Sequence, residues 1–125
     1  MAQASNTNPV RSVAASGDAI GEDCTHVSLW DSQTSGTFLW RTAIQGNPSP
    51  LTAGEGYEFA AGALIIRQDV GTGETEAMAQ RAAAGRVKDG VWVQYHNGDP
   101  GADGTANVIP DLTRTNIAES DFSII

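Results

Sequence analysis

Two stretches of alternating polar and apolar residues constrain the fold of this chain more than any other feature. In the first, residues 25–31 (THVSLWD), Val27 and Leu29 fall on one face of an extended strand. The opposite face carries His26, Ser28 and Trp30. A period of two residues is typical of a β-strand that buries one face, so this segment is predicted to be a strand of a sheet with one face buried.

The second stretch, residues 91–104 (VWVQYHNGDPGADG), is a strand of the same kind that runs into a glycine-rich loop. One face carries Val91, Val93 and Tyr95, and the other carries Trp92, Gln94 and His96. In the loop, glycine reaches positive φ easily, and aspartate side chains hydrogen-bond to nearby backbone amides. We therefore predict a rigid structural loop over residues 97–107.

Further short apolar segments, separated by turn residues, follow the same pattern. The predicted strands are residues 25–30, 37–42, 56–60, 63–68, 91–96, 113–117 and 122–125, with turns over residues 31–36 and 46–54. A chain of 125 residues has room for one hydrophobic core. We expect a mainly β fold, a small antiparallel β-sandwich with one short α-helix, that forms a single domain over residues 24–125.

The helix is predicted over residues 74–84, which are rich in Ala, Glu, Gln, Met and Arg. Thr72 is the expected N-cap, and Gly85 is the expected C-terminal stop. The small side chains of this segment allow a close approach to a sheet, and Met78 is expected to fill the remaining gap.

Residues 1–23 differ from the rest because they carry few large apolar side chains. Such a composition is typical of a terminal arm, either flexible or extended along a neighbouring subunit. The sequence leaves both alternatives open.

Charge and composition exclude several classes of protein. The 7 basic and 15 acidic residues give a net charge of −8, which repels a phosphate backbone, so we expect no nucleic-acid partner. Apolar runs fall short of the roughly 20 residues that span a bilayer, so no membrane association is expected. A signal-peptide pattern is lacking, which predicts synthesis in a cytoplasm. The one cysteine, Cys24, cannot form an intrachain disulfide.

Two groups of residues are candidates for a catalytic site. Cys24 and His26 share a strand face, which is the minimum arrangement for a thiolate and its base, but no orienting group accompanies them. Carboxylate pairs of the kind that hydrolyse glycosides arise by chance among 15 acids; they are Glu55 with Glu58 and Glu74 with Glu76. We predict no catalytic residue and no enzymatic activity.

Metal and cofactor sites are not predicted either. The spacing of His26, His96, Asp99 and Asp103 matches no zinc signature. The loop at residues 97–107 lacks the register and the closing glutamate of a helix-loop-helix calcium site. Its aspartates are better explained as turn residues.

The candidate interface residues are aromatic or acidic. Trp30, Trp40 and Trp92 each lie in a predicted strand, and Trp30 and Trp92 face away from the aliphatic side of their strands. Aromatic residues often dominate protein interfaces. The candidates are Trp30, Trp92 and Tyr95, together with Asp99 and Asp103 of the loop. The alternative is that Trp30, Trp92 and Tyr95 all lie in the core of the monomer.

Three segments of the first half resemble a known family, the small bacteriophage tail-fibre-like virion proteins. They are residues 25–31 (THVSLWD), 36–44 (GTFLWRTAI) and 51–64 (LTAGEGYEFAAGAL). Residues 91–107, preceded by the alanine-rich helix, are similar to a segment that comes first in that family. The two halves therefore stand in exchanged order, and the N-terminal arm lies outside the resemblance.

The resemblance implies a non-enzymatic structural protein of the virion, assembled in the bacterial host cytoplasm. Within that class, the chain is short and lacks rod-like repeats, which favours a capsid decoration (cement) subunit on the outer surface. The alternative is a minor tail or tail-fibre protein at the tail tip that binds a receptor or a host surface glycan. The expected partners are phage major capsid or tail proteins and further copies in a homo-oligomer.

Overall fold

Three antiparallel sheets and one α-helix build the fold in the computed structural model, which describes residues 2–44 and 50–125. Across these residues the strands are β1 Ala2–Asn6, β2 Val10–Arg11, β3 His26–Trp30, β4 Phe38–Ala43, β5 Glu58–Phe59, β6 Ile65–Gln68, β7 Val91–His96, β8 Thr115–Ile117 and β9 Phe122–Ile124. The helix is α1, Glu76–Arg86, and 3-10 turns cover Gly17–Ala19 and Glu119–Asp121. The prediction of a mainly β fold with one short helix is confirmed.

The largest sheet has four strands in the order β4-β3-β7-β8. The aliphatic face predicted from alternation points inward: Val27 and Val93 have no exposed surface. Observed and predicted strand ends agree for β7, and they differ by at most two residues for the other predicted strands. The turn predicted over residues 46–54 lies partly outside the described residues.

Residues 2–6, predicted to belong to an arm outside the domain, form the central strand of the second sheet. β1 lies between β6 and β9 and pairs with both in antiparallel register. Ala2 and Ala4 are fully buried. Asn6 is also buried, and its amide bonds Ala60 O and Leu64 N, both at 3.0 Å. Residues 2–6 are therefore part of the folded sheet, because their small side chains fit the centre of a covered sheet.

Helix α1 packs against the sheet of β6, β1 and β9, with Ala79 and Ala83 buried against Ala2. Its start and end both differ from the prediction. Thr75 is the N-cap, since its Oγ1 accepts a bond from Met78 N at 3.2 Å. The helix continues through Gly85, and Met78 is half exposed rather than a gap filler. Alanine alone fills the contact with the sheet.

All three sheets contribute to one hydrophobic core. Val27 and Leu29 come from the four-stranded sheet, while Ala4 and Ile66 come from the three-stranded one. The two-stranded sheet of β2 and β5 adds Val10 and Phe59. No helix in the described ranges is both long and apolar enough to cross a bilayer.

Candidate interface on the four-stranded sheet

The outer face of the four-stranded sheet carries two of the candidate residues, Trp30 and Trp92. Opposed residues of antiparallel strands point to the same side. The register of β3 and β7 pairs Trp30 with Trp92, Ser28 with Gln94 and His26 with His96. Two tryptophans and two histidines therefore lie on one face. In each strand this face is the one opposite the aliphatic residues, as the alternation predicted.

Trp30 is covered by other parts of the chain. It is only 8% exposed, and the Arg114 guanidinium carbon lies 4.1 Å from its ring centroid. Arg114 is fixed there because its Nη1 donates to the carbonyls of Ser32 at 2.8 Å and Ser35 at 2.7 Å. The ring of Phe38 packs 5.5 Å away on the neighbouring strand. Trp92 is half-buried and is the more accessible tryptophan of the pair.

Tyr95 lies on the opposite, inward face and has no exposed surface. Its hydroxyl donates to Thr115 Oγ1 at 2.8 Å, and its ring meets Tyr57 edge-on at 6.1 Å. Burial raises the pKa of Tyr95 above its ordinary value. Tyr95 is therefore a core residue of the folded chain rather than a surface anchor, as its alternation with Val91 and Val93 required.

A chain of hydrogen bonds beneath this face joins both central strands to the loop. Trp30 Nε1 donates to Ser28 Oγ at 2.8 Å, and Ser28 Oγ lies 2.7 Å from His96 Nε2. His96 Nδ1 lies 2.8 Å from the carbonyl oxygen of Ala106. A carbonyl only accepts, so Nδ1 carries the proton and Nε2 accepts from the serine hydroxyl. Burial lowers the pKa of His96, and the neutral ring satisfies every partner.

Ser28 and His96 stand at the distance of a catalytic nucleophile and its base. Sequence reasoning missed the pair because 68 positions separate the two residues. The available signal was that each residue lies on the polar face of one of the two alternating strands. Neither side chain has exposed surface, and the serine oxygen already accepts the indole N–H. In this arrangement the pair is a structural link.

Cys24 is a core thiol. It is 1% exposed, its Sγ contacts the carbonyl of His26 at 3.7 Å, and burial raises the pKa of the thiol to about 12. A thiolate is the reactive form of cysteine, so Cys24 is poorly suited to nucleophilic chemistry at neutral pH. In the described part of the chain, no three His, Cys, Asp or Glu side chains are grouped to hold a metal ion.

The loop at residues 97–107 is held by its own side chains, as predicted. Asp99 Oδ1 accepts from Gly101 N at 2.9 Å, and Asp103 Oδ1 accepts from Thr105 N at 3.1 Å. The Gly101 N–H lowers the pKa of Asp99, and the hydroxyl of Thr105 lowers that of Asp103. Gly101 and Gly104 have φ values of 80° and 75°. The two aspartates therefore have a structural role inside the loop.

Three contacts fasten this loop to the sheet. Arg41 Nη1 on β4 pairs with Asp99 Oδ1 at 3.2 Å, and His96 bonds Ala106. Gly104 lies against Phe38, because a Cβ added to this glycine would come within 2.5 Å of the ring. The loop is thus a fixed part of the surface.

Comparison with known families identifies the chain. A family model described as podophage GP4 fiber I protein gp80 matches residues 1–67. The match contains the three first-half segments that carry the resemblance, and it also includes residues 1–23, which were expected to lie outside. Residues 91–107 fall beyond it, so the exchanged order of the halves stays a prediction. The comparisons with curated proteins and with solved structures gave no match. Since the matched region covers more than half of the sequence, the chain belongs to the family of the podophage GP4 fiber I protein gp80.

Proposed function

We propose that this protein is a non-enzymatic structural subunit of a bacteriophage fibre, held in the virion by contacts with other phage proteins and with further copies of itself. The observation that carries the proposal is the family match over residues 1–67, whose description names a podophage fibre protein. Those residues supply β1 to β5 and most of β6, including the central strand of the three-stranded sheet.

The use of the reactive side chains supports a structural role. Ser28 and His96 are buried in a hydrogen-bond chain, and Cys24 is a buried thiol with a raised pKa. Asp99 and Asp103 accept bonds from their own loop. These groups stabilise the fold and its surface loop, which is the use expected in a protein whose task is to hold a shape.

The location within the particle has two candidates. The sequence favoured a capsid decoration subunit, with a fibre or minor tail protein as the alternative. Because the family description names a fibre, we rank the fibre first and the capsid surface second. A glycan-binding role at the tail tip is less supported, since Trp30 is stacked beneath Arg114 and does not offer its ring to a sugar.

Labelling of purified phage particles tests the proposal. An antibody raised against the folded protein, coupled to gold and viewed in negative stain, is expected to mark fibres attached to the tail. Label spread over the icosahedral shell would instead support the capsid decoration role. If mass spectrometry finds no peptide of this chain in the particles, both the fibre role and the capsid role are contradicted. Particles of a phage that lacks the gene provide the control for specific labelling.

A further inference from the structure

The two larger sheets leave a cleft along one side of the molecule. β4 and β6 are edge strands of their sheets, and a cleft of about 490 Å³ lies between them. A neighbouring cavity of about 290 Å³ shares Trp40 and reaches the core residues Leu29 and Ile66. The sandwich is therefore less tightly closed along this side, and Trp40 lies at the centre of the opening.

Both the backbone and the side chains of β4 are suited to binding a partner. As an edge strand, β4 presents backbone N–H and C=O groups on its free side. Leu39 is 46% exposed. Trp40 Nε1 is buried and has no acceptor among the described residues, which is unusual for a buried donor. The free backbone edge of β4 and the exposed side chain of Leu39 are therefore the groups that a partner can contact.

Arginines gather around this cleft, in a chain whose net charge is −8. Arg67 lines the cleft, and Arg41 and Arg86 line adjoining parts of the same surface. The guanidinium carbon of Arg86 lies 5.5 Å from the Trp40 ring centroid. Asp69 also lines the cleft, and Asp99 pairs with Arg41. We call the surface of Leu39, Trp40, Arg41, Arg67 and Arg86 the arginine edge.

The other edge of the two sheets carries acidic side chains. β8 and β9 are the other edge strands of the same two sheets, and the 3-10 turn Glu119–Asp121 connects them. Glu119 Oε1 accepts a bond from Asp89 N at 2.8 Å, which places Asp89 on the same side. One cation, Arg11, lines the groove next to Asp121. We call the surface of Asp89, Glu119 and Asp121 the acidic edge.

We propose that the arginine edge of one copy docks onto the acidic edge of the next copy. The carboxylates of the second copy would pair with Arg67 and Arg86. The two edges are different surfaces, formed by strands at the two ends of the same sheets, so the contact is heterologous and repeats in one direction, as in a ring or a filament. This inference rests on the proposed fibre role, which requires a repeating contact.

Charge reversal of one edge at a time tests the contact. Arg67→Glu alters an exposed side chain of the arginine edge, and Asp121→Lys alters the acidic edge. In sedimentation velocity of the purified full chain at low salt, the wild type is expected to associate as concentration rises. Each variant alone is expected to associate at least tenfold more weakly, and salt is expected to weaken the wild type because it screens surface charges.

Mixing the two variants gives the decisive measurement. The Arg67→Glu protein keeps an intact acidic edge and the Asp121→Lys protein keeps an intact arginine edge, so a 1:1 mixture is expected to regain association. Arg81→Glu makes the same change of charge on the exposed side of α1 and is expected to associate like the wild type. Urea unfolding of each variant confirms that the fold is intact.

Several outcomes would overturn this inference. A wild type that stays monomeric at all concentrations, or a mixture that does not associate, contradicts the head-to-tail contact. If Asp121→Lys associates like the wild type while Arg67→Glu does not, the occupant is another surface, such as β4 of a second copy. Gold labelling separates this inference from the proposed function. If the fibres are labelled but Arg67→Glu associates like the wild type, only the head-to-tail contact is contradicted. If the fibres are unlabelled but the mixture associates as expected, only the fibre role is contradicted.

Discussion

Several buried or half-buried polar side chains in this protein bond to partners far along the chain, and each of these links fixes a loop. Asn6 bonds the turn at residues 60–64, and Arg114 bonds the turn after β3. His96 bonds Ser28 in one direction and Ala106 in the other. Because a buried donor or acceptor left without a partner costs about 1–3 kcal/mol, these residues determine the shape of the surface.

His96 makes the stability of the fold depend on pH. Burial lowers its pKa in the folded state, so the unfolded chain, with a histidine pKa of about 6.5, takes up the proton first on acidification. The free energy of unfolding is therefore expected to fall as the pH drops below about 6.5. Urea titrations between pH 8 and pH 5 measure this dependence.

Variants separate the contribution of His96 from that of the other acid-sensitive groups. His96→Gln is expected to be less stable at pH 8 but to lose less stability between pH 7 and pH 5. His26→Gln retains His96 with its bonds to Ser28 and Ala106, so it serves as the matched control in which the loss of stability at acidic pH is expected to persist. Equal slopes in the wild type and His96→Gln would show that His96 does not cause the dependence.

Gly104 is expected to tolerate no side chain, for two reasons that a pair of variants can separate. Its φ is 75°, and a Cβ would lie 2.5 Å from Phe38 Cδ1. Gly62 has a similar φ of 79° but open space around it. Gly62→Ala is expected to cost about 1–2 kcal/mol from backbone strain alone, and Gly104→Ala about 1–3 kcal/mol more. Urea unfolding measures both, and equal costs would mean that Phe38 moves aside freely.

Among the secondary-structure elements, those with a clear period were predictable. β7 was predicted with its observed bounds because six residues alternate between the two faces. β1 was not predictable, since its sequence AQASN has no β-branched or aromatic residue. Its position depends on β6, on β9 and on the alanines of α1, all distant in sequence.

For the candidate site, the strand faces and the bonds of the loop were predictable from the sequence, but the residues that cover the outer face were not. Alternation correctly placed Trp30 and Trp92 on one face, and the turn chemistry of the loop correctly assigned the bonds of Asp99 and Asp103. Alternation does not reveal what covers a face. The stacking of Arg114 on Trp30 depends on a segment that lies 82 positions from Ser32, which no local pattern encodes.

The N-terminus of α1 provides a test at the scale of an element. Thr75 Oγ1 accepts from Met78 N, so Thr75→Ala is expected to destabilise the protein by about 0.5–2 kcal/mol. Thr75→Ser keeps the hydroxyl and is expected to retain most of that stability. Thr72 is the N-cap that the sequence predicts, and Thr72→Ala is expected to change the stability of the protein little. Thermal unfolding followed by circular dichroism measures all three, and a larger loss at Thr72 would contradict the observed cap.

For the molecule as a whole, the path of the chain makes its first and last strands neighbours. β1 pairs with β9 through Ala4 and Ile124, and the backbones of Gln3 and Ile125 exchange two hydrogen bonds. The three-stranded sheet therefore forms only when both ends of the sequence are in place. Such long-range pairing is slow to form but makes unfolding cooperative.

Substitutions in β1 distinguish a central strand from an arm that docks on a neighbour. Ala4 is fully buried in the shared core, so Ala4→Glu places an unpaired charge there and is expected to cost at least about 4 kcal/mol. Domains of this kind are stable by only about 5–15 kcal/mol, so the cooperative urea transition should shift strongly or disappear. Gln3→Glu introduces the same charge on the adjacent, half-buried side chain and is expected to leave the transition in place. If β1 were a docking arm, Ala4→Glu would leave the stability of the monomer unchanged and weaken only its association.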